Sequence, residues 1–226
     1  MNTAAVSRSR VSVRDMAVWA LICALAYISV ALIRVPVVSF LKYEPKDAVL
    51  MIGGFIYGPL AAAVMSIVVS AVEMVTVSDT GWIGALMNVL STCAFVCVAS
   101  AFYRRKRTMR GALLGLAVGT VAMAAIMLLW NALITPLYMG VPRQAVMEML
   151  LPVFLPFNLI KAVMNSALTL LLYKHVVTAL RKARLVPAPQ QGTSGRSVRG
   201  TVAVSLAAVV LLATAILVIL AFQGVI

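Results

Sequence analysis

Charge is scarce in this chain of 226 residues, and acid is scarcest: 11% of residues are charged and only six are Asp or Glu. A soluble domain carries roughly a quarter of its residues as charges. Here 63% are hydrophobic and the mean hydropathy is +1.07, which excludes both a water-soluble fold and a disordered chain. The three cysteines, Cys23, Cys93 and Cys97, all sit in apolar runs and make no disulfide framework. A single histidine, His175, and the lack of any Cys/His spacing leave no metal centre. No G-x-x-x-x-G-K-[ST] loop, Ser/His/Asp set, catalytic carboxylate pair or dinucleotide glycine motif occurs, so no catalytic residue, metal ligand or bound cofactor is expected. Binding or transport is the stronger class.

What is present is apolar sequence in lengths that match a bilayer. Uncharged runs cover 16–33, 80–103, 111–142 and 201–226, each near the 17–25 residues needed to span hydrocarbon. Residues 48–77 are apolar apart from Glu73 and are broken by Gly58-Pro59, while 150–173 contain Pro152, Pro156 and one cation, Lys161. The first run resembles a secretory signal, since Arg8, Arg10 and Arg14 precede it, but it is long for one and reads as a retained helix.

The net charge of +13 would suggest nucleic acid in a soluble protein. Here it reports topology, because Lys and Arg stay in short cytoplasmic loops. With the N-terminus inside and a turn at Gly58-Pro59, three cations before the first helix, the cluster Arg104 to Arg110 and the six from Lys174 onward all lie inside. Only Arg34, Lys42, Lys46 and Arg143 face out. A single helix across Gly58-Pro59 would export the cluster. The turn makes residues 47–57 a helix too short to cross alone, so it is expected to pack inside protein.

The reading is therefore an all-α polytopic membrane protein. It has a cytoplasmic tail (1–13), a six-helix membrane domain (14–182), a flexible cytoplasmic linker rich in Pro, Gly and Ser (183–200) and an added transmembrane helix (201–226). The core helices are expected near 14–34, 47–57, 59–77, 81–103, 110–135 and 152–180. The seventh, with Ser205, Thr214 and Gln223 as its main polar groups, suits lipid exposure and an anchoring role.

Asn158, Lys161 and Asn165 are spaced by three and four, which puts them on one face of the sixth helix. A membrane-embedded cation is a functional candidate by default, although Lys161 is near enough to the helix start to reach the interface by its stem. Asn131 near the outer end of the fifth helix is a candidate for the same cluster or for helix packing, and Asn88 for packing. Glu73 near Asp79 reads as a solvated acid. Amides and an ammonium beneath Phe40, Tyr43, Tyr138, Phe154 and Phe157 suit a planar heterocycle with carbonyl and imide edges better than an inorganic ion.

Three segments carry a resemblance: Phe40-Leu-Lys-Tyr-Glu-Pro-Lys-Asp47, Ile52-Gly-Gly-Phe-Ile-Tyr-Gly-Pro59 and Pro156-Phe-Asn-Leu-Ile-Lys161. The chain over about 14–182 resembles the riboflavin-specific S component of energy-coupling-factor (ECF) transporters. The resemblance implies a six-helix bundle that binds riboflavin near the extracellular side, without a covalent step, under the first long loop. It implies that Asn158 and Lys161 hydrogen-bond the vitamin with Asn131 joining from the fifth helix, and that Lys42, Tyr43 and Glu44 belong to the covering loop. It further implies that Ala20 and Ala24 dock a transmembrane coupling subunit, with two cytoplasmic ATPases supplying energy and the S component toppling in the membrane. The span 201–226 departs from that pattern and places the C-terminus outside. Another vitamin such as thiamine or pantothenate on the same scaffold, and a structural or assembly membrane protein, remain alternatives at this level.

Overall fold

A computed structural model describes residues 11–38, 41–78, 80–186 and 198–224. The expected tail up to residue 10, Phe40, Asp79 and linker residues 187–197 lie outside them. Helix α1 (Val13–Leu32) starts at a capping box in which Ser12 and Asp15 bond each other's backbone N–H groups. A two-stranded antiparallel hairpin follows, β1 (Val35–Val38) and β2 (Leu41–Tyr43), pairing Val35 with Tyr43 and Pro36 with Lys42. Next come α2 (Lys46–Tyr57) and α3 (Pro59–Thr76). Then follow α4 (Gly81–Arg105), α5 (Met109–Leu133), the short α6 (Thr135–Met139), α7 (Arg143–Lys182) and α8 (Val198–Phe222).

Six of these helices are long and apolar enough to cross a membrane, and α2 is not among them. At 12 residues it is about 18 Å long, and nine of the 12 are buried, as the sequence led us to expect of a helix that cannot span alone. Gly54 lets it sink: a Cβ there would lie 2.2 Å from the Ser100 hydroxyl and about 3 Å from Val96 and Ala62. The turn into α3 works because Gly58 adopts φ +95°, which L side chains rarely take, and Pro59 opens the next helix with its fixed φ.

The sixth expected helix corresponds to α7 and begins earlier than the sequence reading placed it, at Arg143 rather than near 152. Pro152 does not start it. The backbone widens into a π-turn over Leu150–Phe154, where the Leu155 N–H reaches the Leu150 carbonyl, accommodating a residue without an amide hydrogen. A second π-turn, Cys93–Cys97, interrupts α4. The helical expectation needs one addition, the hairpin, which folds the first long loop into a small sheet.

The main core gathers Val18, Ile22, Met51, Phe55, Met65, Phe95 and Leu116 from α1 to α5. A second cluster joins Val37, Leu41 and Tyr43 of the hairpin, Phe154 and Phe157 of α7, and Ala215 and Ile219 of α8. The added helix thus packs along α7, and its Gln223 side chain donates to the Pro36 carbonyl at the hairpin. At the other end of the bundle Phe55 stacks on Tyr103 at 4.4 Å, and the Tyr103 and Tyr173 hydroxyls lie 3.2 Å apart.

Candidate functional site

The polar groups of the hairpin end meet around the start of α2. Pro45 at the N-cap position offers no side chain to bond the first turn, so the exposed N–H groups need a partner from elsewhere. Asn165 of α7 supplies it: its Oδ1 accepts from the Ala48 N–H at 3.2 Å, and its Nδ2 donates to the Glu44 and Lys161 carbonyls at 3.3 and 3.0 Å. Every one of these bonds is structural. Asn165 is the clasp that fixes α2 to α7, and Thr169 adds a hydroxyl contact to the Ala48 carbonyl at 3.5 Å.

Three cations and three carboxylates sit in this region. Lys46 is 1% exposed and ion-pairs with Glu73 of α3, and its Nζ is 3.4 Å from Glu44. Glu73 was expected to be a solvated acid; it is instead buried and also accepts from Asn88 of α4 at 3.2 Å. Arg34 donates to Glu44 at 3.0 Å and to the Val77 carbonyl. Asp47, fully buried, accepts from Thr92 of α4 at 2.7 Å and has its other oxygen 3.9 Å from the Lys161 ammonium. Opposite charges in equal number make this burial tolerable, because an uncompensated ion in such a place costs several kcal/mol. Burial pushes the Glu44 carboxyl up, but Lys46, Lys161 and Arg34 outweigh it and hold the group below the ordinary carboxylate value. Burial and the nearby Asp47 charge push the Tyr43 phenol up, keeping it protonated.

The other residues expected at the site are distributed as follows. Asn158 and Lys161 are buried on α7, and the reading of Lys161 as a snorkelling side chain does not hold, since it is 6% exposed and turned toward Asp47. Asn158 donates to the Phe154 carbonyl at 2.7 Å. Asn131 on α5 is also buried; it donates to the Met127 carbonyl at 2.7 Å and accepts from Thr135 at 2.8 Å. No hydrogen bond joins Asn131 to Asn158 or Lys161 among the described residues, although α5 and α7 pack together. Tyr43 is buried with Phe154 and Phe157, Lys42 is half-buried, and Tyr138 is exposed. Ala20 and Ala24 lie on the exposed face of α1, beside Met16, Leu21, Leu25 and Ile28. His175 is exposed and bonds the Leu171 carbonyl.

Sequence reasoning grouped Asp47 with the first long loop but missed its partner Thr92 and the pairing of Lys46 with Glu73. A signal was available: a helix too short to span the membrane yet carrying Lys46 and Asp47 in its first turn must place both inside protein.

Arranged this way, the hairpin end can hold a small polar ligand by hydrogen bonds and ion–dipole contacts. The model of the ECF transporter substrate-specific component matches residues 14–173, ending before α8. The riboflavin transporter RibU of Staphylococcus aureus (strain TCH60) is 25% identical over 150 residues, covering 63% of this chain and 78% of that protein. A solved S component of a bacterial ECF transporter shares the fold with a TM-score of 0.63 at 22% identity, over 74% of this chain and 98% of the other. Membrane-crossing helices, a polar cluster at one end and the matched family model lead to one assignment: the chain belongs to the substrate-specific components of ECF transporters, membrane proteins that bind a transported vitamin rather than catalyse a reaction.

Proposed function

We propose that this chain is the riboflavin-binding component of an ECF transporter, taking the vitamin up together with a transmembrane coupling subunit and two cytoplasmic ATPases. Residues 14–182 form the binding domain. In this reading the hairpin end faces outside, Asn158, Lys161 and Asn131 hydrogen-bond the flavin ring, and Lys42, Tyr43 and Glu44 belong to its cover. The observation that carries it is Lys161: a buried ammonium with no hydrogen bond among the described residues, on the same helix face as Asn158 and one turn from Phe157. An ammonium in such a place is costly unless a ligand completes its partners. The 25% identity to RibU supports riboflavin over other vitamins.

The cations of 104–110 then mark the cytoplasmic side, with the N-terminus inside and the far end of α8 outside. The exposed small-residue pair Ala20 and Ala24 on α1 gives the coupling subunit a surface that permits close helix approach, while the remaining apolar surface meets lipid. Purified protein titrated with riboflavin is expected to quench flavin fluorescence, and thiamine and pantothenate are expected not to displace it. Displacement by either vitamin, or no quenching, would overturn the riboflavin assignment. Ala20→Trp is expected to abolish co-purification with the coupling subunit while leaving flavin binding intact; unchanged co-purification would remove α1 as the docking face.

A further inference from the structure

Asp47, to which no role has been assigned, carries one of the buried polar atoms without a hydrogen-bond partner among the described residues. Asp47 lies fully buried in the first turn of α2. Its Oδ1 is satisfied by Thr92 at 2.7 Å, but its Oδ2 has no hydrogen-bond partner, and the Lys161 Nζ at 3.9 Å is beyond hydrogen-bond reach. The Tyr43 hydroxyl, on the buried side of β2, is likewise unpartnered. Buried carboxylate oxygens are almost always bonded, so an orphan demands an explanation. Glu73 also leaves one oxygen unbonded, but its other oxygen is held by both Lys46 and Asn88. At Asp47 the open acceptor instead stands beside an open donor.

We propose that Asp47 is a ligand-binding and specificity residue: its Oδ2 accepts a hydrogen bond from a ring N–H of the bound vitamin while Lys161 donates to the carbonyl next to it. An imide edge presents this pattern, an N–H flanked by C=O groups. The two protein atoms are far enough apart to take separate partners and close enough to reach neighbouring groups on one ring edge. Thr92 fixes the carboxylate from behind, so the free oxygen is presented without a rotamer search. A ring whose edge nitrogen is alkylated has no hydrogen to give and meets an unpaired carboxylate. The inference rests on the flavin reading and adds the contact that selects for an unsubstituted imide.

The test compares riboflavin with N3-methylriboflavin on the full chain and on Asp47→Ala and Asp47→Asn, by fluorescence titration. Wild type is expected to bind the methylated flavin at least about tenfold more weakly, the size of a lost charge-assisted hydrogen bond. In the variants that penalty is expected to shrink to about threefold or less. A purely structural Asp47 would weaken both ligands alike and leave the ratio unchanged, and that result overturns the inference, as does a wild type that binds both flavins equally. Asp47→Asn keeps the side chain's size and its reach to Thr92, and it carries the comparison if the alanine variant does not fold. A wild-type chain that binds neither flavin removes the riboflavin reading and this inference together, which separates that failure from the loss of the Asp47 contact alone.

Discussion

Helices α2 and α8 invert the rule that holds in water. The shorter, α2, carries Lys46 and Asp47 and is almost wholly buried, whereas α8 has the highest mean hydropathy of the membrane-crossing segments and is mostly exposed. In a bilayer the solvent is apolar, so hydrophobicity marks the surface and polar or small residues mark the interior. The two helices are also held differently. Polar contacts from α3, α4 and α7 clasp the first turn of α2, through Glu73, Thr92 and Asn165; α8 rests on α7 and the hairpin through Ala215, Ile219 and one hydrogen bond from Gln223.

If that contrast is right, substitutions in α2 and its clasp cost more than comparable changes in α8. The largest effect is expected from Lys46→Ala, which leaves Glu73 with an uncompensated buried charge; removal of one member of such a pair costs about 3–5 kcal/mol, read as a lowered melting temperature in detergent. Asn165→Ala should follow at about 1–3 kcal/mol, because the side-chain clasp from α7 to the Ala48 N–H and the Glu44 carbonyl is lost. Gly54→Val is expected to cost a similar amount, about 1–3 kcal/mol, by forcing α2 off Val96 and Ala62. Gln223→Ala should change global stability by less than about 1 kcal/mol but speed amide exchange in 35–43, since it frees the Pro36 carbonyl. A Gln223→Ala variant that melts as low as Lys46→Ala would reverse the comparison.

Much of this was readable in the residues. Charge placement located the turn at Gly58-Pro59 and the buried short helix, because a basic cluster has one favourable side of a membrane and a chain of known rise per residue has a fixed reach. The spacing of Asn158, Lys161 and Asn165 gave their shared inward face. The differing roles within that face were not readable, since whether an amide caps α2, as Asn165 does, or returns to its own helix, as Asn158 does, depends on a neighbour far away in sequence. Pro152 misled for a related reason: proline ends a helix in isolation, but inside a packed bundle the backbone relaxed into a π-turn and continued. The hairpin was equally hidden, its strands being only four and three residues long, too short to show alternation. The packing of α8 on the hairpin had no sequence signal, because Ala215 and Ile219 resemble their lipid-facing neighbours.

The claim on which the functional account depends is that the polar end of the bundle grips a flavin through α7. The direct measurement is riboflavin affinity by fluorescence quenching for wild type, Asn158→Ala and Lys161→Ala, each verified as folded by its melting curve. The account predicts that each substitution weakens binding by more than about 1 kcal/mol, the scale of a lost buried hydrogen bond. Wild-type affinity in both variants would contradict it.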